Sequence, residues 1–121
     1  MAALEGAATA GLDGLVVISD IFISRYRSRI VELAARGGLP TISGDPEYAA
    51  AGGLMSYGPN RAEMYRRAAT FVDKILRGAK PADLPVERPM RFNFVINLKT
   101  AQSLGLSIPQ HVLLQATEVI Q

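Results

Sequence analysis

A chain of 121 residues fits one domain and can bury a core of modest size. Its 49% hydrophobic and 20% charged residues lie in the globular range and argue against disorder. The 13 basic and 11 acidic residues leave a net charge of +2 with no basic run, so nothing supports a nucleic-acid surface. There is no cysteine, which excludes disulfides, thiolate metal sites and cysteine nucleophiles. The opening Met1-Ala2-Ala3-Leu4-Glu5-Gly6 lacks the positive start and apolar stretch of a targeting segment. Apolar runs such as Leu15–Ile18 fall far short of the ~20 residues of a membrane span, so a soluble chain is expected.

Ala2 to Ala10 reads as the tail of a helix that begins before the chain does. Gly14 to Ser19 is a short β-branched run, expected as a buried, central, parallel strand because both faces are apolar. Ser24 to Arg36 predicts an amphipathic helix, with Ile23, Tyr26, Ile30, Leu33 and Ala34 on one face. Its other face carries a favourable Glu32–Arg36 pair and a like-charge Arg25–Arg29 pair. Gly37-Gly38 ends it, and Leu39 to Ser43 begins a second strand, completing a strand–helix–strand unit with a right-handed crossover.

Asp45 is placed to cap a short helix from Pro46 through Ala51, and Gly52-Gly53 breaks it. Leu54 to Gly58 alternates as a third strand. The longest element is a helix over Asn60 to Arg77, with Asn60 as cap and Glu63 completing a capping box. Tyr65, Ala68, Ala69, Val72, Ile75 and Leu76 form its apolar stripe, and Glu63–Arg67 and Asp73–Arg77 its i,i+4 pairs. Gly78 stops it, requiring a positive φ there.

Lys80 to Pro89 is an extended loop, and Arg91 to Ile96 a fourth strand. Asn97 caps a short helix from Leu98 to Leu104, and Ile108-Pro109 opens a last helix reaching about Val119. The alternation predicts an α/β class with a parallel sheet covered by helices. A start inside a helix and only about four strands fit a partial domain.

Ligands of open α/β sheets bind beyond the carboxyl ends of the strands. Ser19 and Asp20 end the first strand: Ser19 offers a hydroxyl, and Asp20 either pairs with a ligand amine or caps the next helix. Gly44, after the second strand, lets a ligand approach the backbone, while Asp45 beside it reads as a cap. Tyr57 presents a flat apolar face and a hydroxyl to a small organic ligand, or else packs half-buried. Gly52 to Gly58 lacks the ending of a phosphate loop. His111, the single histidine, has no companions for a metal site and reads as a solvated surface residue. No nucleophile–histidine–acid set or carboxylate pair assembles, so no enzyme, metal or cofactor is indicated.

From Leu12 onward the chain resembles one family. The matching segments include Asp13-Gly14-Leu15-Val16-Val17-Ile18-Ser19-Asp20, Ile30 to Ala35 with Leu39-Pro40, and Ala51-Gly52-Gly53-Leu54-Met55-Ser56-Tyr57-Gly58. Tyr65-Arg66-Arg67-Ala68-Ala69, Val72 through Glu87, Val95 through Ala101 and Leu104 through Pro109 continue the pattern. It is similar to the ABC-transporter substrate-binding proteins of the type I periplasmic-binding-protein fold, including members that bind aromatic or branched amino acids.

The resemblance covers roughly the last third of such a protein, which holds ligand between two α/β lobes joined by three crossover strands. It implies a partial fold: a C-lobe unit over 12–53, a crossover and N-lobe-type helix over 54–90, and a return crossover with C-terminal helices over 91–121. It implies that Ser19, Asp20 and Tyr57 line the cleft, that the lobes close on an amino acid or similar molecule, and that an ABC permease receives it. A periplasmic location follows from the same resemblance. Asp45-Pro46-Glu47-Tyr48 departs from the usual family wording, and the first lobe is absent. The bare stripe of the long helix then predicts a homodimer. Two other readings are a truncated oligomerisation module and a small flavodoxin-like enzyme or regulatory domain.

Overall fold

The computed structural model describes Gly6 and residues 10–121. The predicted helical tail over Ala2 to Ala10 lies outside the described residues, except that Gly6 is helical and Ala10 stands in a turn. Five strands form one sheet in chain order: β1 (Leu15–Val17), β2 (Thr41–Ser43), β3 (Met55–Pro59), β4 (Phe92–Asn97) and β5 (Glu118–Ile120). β1 and β2, β2 and β3, and β4 and β5 pair in parallel. The helices among residues 10–121 are α1 (Ile21–Ser24), α2 (Arg27–Arg36), α3 (Pro46–Ala50), α4 (Arg61–Leu76), α5 (Leu98–Ser103) and α6 (Gln110–Leu113), with a 3-10 turn at Pro81–Asp83.

The chain divides into two compact units, one comprising Met1–Gly58 with Asn93–Gln121 and the other Pro59–Phe92. In the first, Val17, Ile30, Val31 and Tyr48 form the central cluster, with Leu15 and Ile23 packed against it. Several polar groups inside are paired, as burial favours. The Thr41 hydroxyl accepts from the Leu54 amide at 3.2 Å. Asn97 caps α5 by accepting from the Thr100 amide at 3.1 Å, and its Nδ2 donates to the Ala49 carbonyl at 2.9 Å. The Thr100 hydroxyl donates to the Gly52 carbonyl at 2.9 Å, so the start of α5 is tied to the carbonyls at the end of α3.

Several expectations are corrected. β1 stands at one end of the sheet rather than in its centre, and Val16 and Ile18 are exposed rather than buried. The helix expected from Ser24 to Arg36 is two helices. The Ile23 carbonyl takes hydrogen bonds from the Tyr26 amide at 2.9 Å and the Tyr48 hydroxyl at 3.4 Å, so the turn tightens there and α2 starts afresh at Arg27. The last helix ends at Leu113, and a fifth strand follows. Thr117 fixes it, exchanging hydrogen bonds at 2.9 Å between its hydroxyl and the Phe94 amide and carbonyl.

In the second unit Asn60 caps α4 by accepting from the Glu63 amide at 3.0 Å. Gly78 closes α4 with φ +102°; its amide bonds the Ile75 carbonyl at 3.0 Å and the Ala79 amide bonds the Lys74 carbonyl at 3.0 Å. The expected Glu63–Arg67 pair is replaced: Arg67 forms a two-pronged ion pair with Glu87, and Glu63 meets Arg91 at 3.5 Å. The planar guanidinium favours a carboxylate it can grip with both prongs over one a helical turn away. Asp73–Arg77 at 2.9 Å and, in the first unit, Glu32–Arg36 at 3.0 Å form as expected.

Candidate functional site

The carboxyl ends of β1 and β2 and the middle of β3 meet at one place in the first unit. Ser19 follows β1, Gly44 follows β2, and Tyr57 and Gly58 lie in β3. A β-carbon on Gly44 would lie 2.8 Å from the Ser19 hydroxyl oxygen and 3.9 Å from the Tyr57 carbonyl oxygen. A β-carbon on Gly58 would lie 2.0 Å from the Gly44 carbonyl oxygen, so backbone touches backbone with no side chain between. Two glycines therefore bring Ser19, Gly44 and Tyr57 together. The Tyr57 side chain is 56% exposed and meets Phe94 edge-on at 6.0 Å between ring centres.

Asp20 is next to this group, exposed, and caps α1. Its Oδ1 accepts from the Phe22 amide at 2.7 Å and the Ile23 amide at 3.3 Å. Asp45 is buried and caps α3 by accepting from the Glu47 amide at 3.1 Å. Its other oxygen meets Arg27 at 3.5 Å. Arg27 also binds Glu47, and its guanidinium lies 5.7 Å from the centre of the Tyr48 ring. Burial pushes the Tyr48 phenol up; the Arg27 charge pulls it down and the Asp45 charge pushes it up again. Arg27 Nε and Ser56 Oγ are buried with no hydrogen-bond partner among the described residues.

Three participants carry little signal in the sequence. Phe94 is one residue of the alternating fourth strand, and Gly58 the end of the third. Arg27 stands between Arg25 and Arg29 with nothing to single it out locally, and the acidic Asp45 and Glu47 after the next strand are the signal for it. A groove of about 620 Å³ in the second unit, between α4 and residues 85–91, contains none of Ser19, Asp20, Gly44 or Tyr57.

The parallel-dominated five-strand sheet makes this a mixed α/β fold with strong structural likeness to periplasmic-binding-protein domains. The family described as ABC transporter substrate binding protein matches residues 3–120, and the chain belongs to that family. The family is a substrate-binding, non-enzymatic class. No curated protein matches the chain. Among solved structures, the ABC domain in complex with L-Trp from Streptococcus pneumoniae is 28% identical with a TM-score of 0.90, over 98% of this chain and 40% of that one. A conserved domain protein from Vibrio cholerae O1 biovar El Tor is 26% identical with a TM-score of 0.86, over 98% of this chain and 41% of that one. A ligand-free, open substrate-binding protein with adhesive properties from Clostridium difficile shares the fold, at 19% identity and a TM-score of 0.69. The chain thus spans about two fifths of the length of these structures. Among the described residues, no helix is long and apolar enough to cross a membrane.

Proposed function

We propose that the chain supplies one wall of a site that captures an amino acid or similar small organic solute for an ABC importer. The single observation carrying this is the meeting of Ser19, Gly44 and the exposed Tyr57 at the strand ends, which the glycines allow to approach one another closely. The similarity to a domain bound to L-Trp supports an aromatic solute, for which Tyr57 and Phe94 supply flat faces. Asp20 would meet the ammonium group through Oδ2, since both helix-capping bonds fall on Oδ1. In this reading 12–53 belongs to a C-lobe, 54–90 and 91–121 carry the crossovers, and closure of the lobes hands the solute to a permease from the periplasm.

The test is amide NMR of the chain titrated with L-Trp, L-Leu and a sugar as control. One wall of a site binds weakly, so the amides of Ser19, Asp20, Gly44 and Tyr57 should shift at millimolar amino acid and stay unmoved by sugar. In a polypeptide carrying both walls, Asp20→Ala should lower affinity by about 1–3 kcal/mol. Shifts scattered elsewhere, or none, would remove these residues from the site.

A further inference from the structure

We infer that Arg27 is a positioning residue: through Asp45 it fixes the backbone of Gly44, and with it the strand-end site proposed above, on whose reading the inference rests. Arg27 opens α2, and its guanidinium spans the first turn of α3. Its Nη2 meets Asp45 at 3.5 Å and also binds Glu47. Its Cζ lies 5.7 Å from the centre of the Tyr48 ring, so one cation gathers three side chains of a single turn.

The burial of the two acids decides which pair matters. The Asp45 side chain is 4% exposed and that of Glu47 65%. A buried carboxylate stripped of its cation is left uncompensated, whereas an exposed one is answered by water. Arg27 is therefore needed at Asp45 far more than at Glu47. Each Asp45 oxygen has its own anchor: Oδ1 accepts from the Glu47 amide at 3.1 Å, and Oδ2 faces Arg27. The Asp45 amide donates to the Ser43 hydroxyl at 3.3 Å. The carbonyl of that same peptide belongs to Gly44 and is the group packed against Gly58. The Gly44–Asp45 peptide is thus held at its amide, at its carbonyl and by the side chain that follows it. Without Arg27 the Asp45 carboxylate turns toward water and carries this peptide with it. Gly44 then leaves its seat beside Ser19 and Tyr57.

Amide NMR of the 121-residue chain, with and without L-Trp, is the test. In the ligand-free chain Arg27→Met should move the amide signals of Ser19, Gly44, Asp45 and Tyr57 with unchanged circular dichroism. Loss of stability alone would lower the melting midpoint and leave the Ser19 and Tyr57 signals of the folded chain in place. At a fixed millimolar concentration of L-Trp the induced shifts should shrink about tenfold, a coupling typical of residues in one network. Asp45→Asn keeps the capping oxygen and removes the charge that Arg27 answers. Added to Arg27→Met, it should bring the induced shifts back to within about twofold of the unaltered chain. Arg27→Lys keeps the charge without the planar fork; it should weaken the response about threefold, and it replaces the Met variant should that one not fold. Ser19 and Tyr57 signals indifferent to position 27, or a loss that Asp45→Asn leaves in place, would overturn the inference. No response to L-Trp in the unaltered chain would sink the ligand reading instead, and the ligand-free spectra would still decide whether Arg27 sets the place of Gly44.

Discussion

With 2.0 Å between an added β-carbon at position 58 and the Gly44 carbonyl oxygen, no side chain fits unless the strand ends part. The obstacle is backbone, which does not swing aside as a side-chain tip would. Gly58→Ala should therefore destabilise the chain by about 2 kcal/mol or more, at the upper end of overpacking costs. Denaturant melts monitored by circular dichroism measure this. Unchanged stability would mean that Gly44 and Gly58 do not touch in solution. The contact was invisible in the sequence because Gly44 and Gly58 lie in different elements and meet only through the parallel register that pairs Ser43 with Ser56. Asp20 was more legible. An aspartate directly before an apolar helical run is a cap by local chemistry alone, and the two amide bonds are there. Whether it also holds a ligand depends on a partner the local sequence does not encode.

At the level of elements, boundaries set by short-range chemistry were readable. Asn60, Asp45 and Asn97 each cap the helix expected of them, and Gly78 ends α4 with a positive φ. No atom lies within 4 Å of a β-carbon built at Gly78, so a substitution there meets backbone strain without a clash. Gly78→Val should cost roughly 1 kcal/mol or more, read as a lowered denaturation midpoint with an unchanged slope. The misses have a common cause. β5 has three residues, too few to show alternation, and its register comes from β4 more than twenty positions earlier in the chain. Its apolar residues follow Val112 and Leu113 at spacings that suit a helix equally well. The break between α1 and α2 is likewise tertiary, since the Tyr48 hydroxyl that reaches the Ile23 carbonyl comes from α3.

For the molecule as a whole, two groups shape the dependence of stability on pH. Hydrogen bonding to Arg67 holds the Glu87 carboxyl below the usual glutamate range. A depressed acid stabilises the fold above its ordinary pKa, and that contribution fades as pH falls through the folded value. Tyr48 is the opposite case: its raised phenol favours the fold below the ordinary tyrosine range, and the contribution is lost as pH rises through the folded value. Thermal midpoints should therefore fall at both the acid and the alkaline end. Glu87→Gln should flatten the acid limb alone and Tyr48→Phe the alkaline limb alone. A variant that leaves its own limb unchanged would show that its group does not govern that end.

The unit that holds Ser19, Gly44 and Tyr57 is not continuous in the chain: Pro59–Phe92 interrupts it between β3 and β4. Synthesis runs from one end, so β1, β2 and β3 are made before the strand that flanks β3. At ~5–20 residues per second the wait for β4 lasts several seconds. Throughout that time β3 presents an unpaired edge bearing Tyr57, the kind of edge that recruits foreign strands. Nascent chains halted at Phe92 would hold Ser19, Asp20, Gly44 and Tyr57 and yet lack the strand that closes the sheet beside them and carries Phe94.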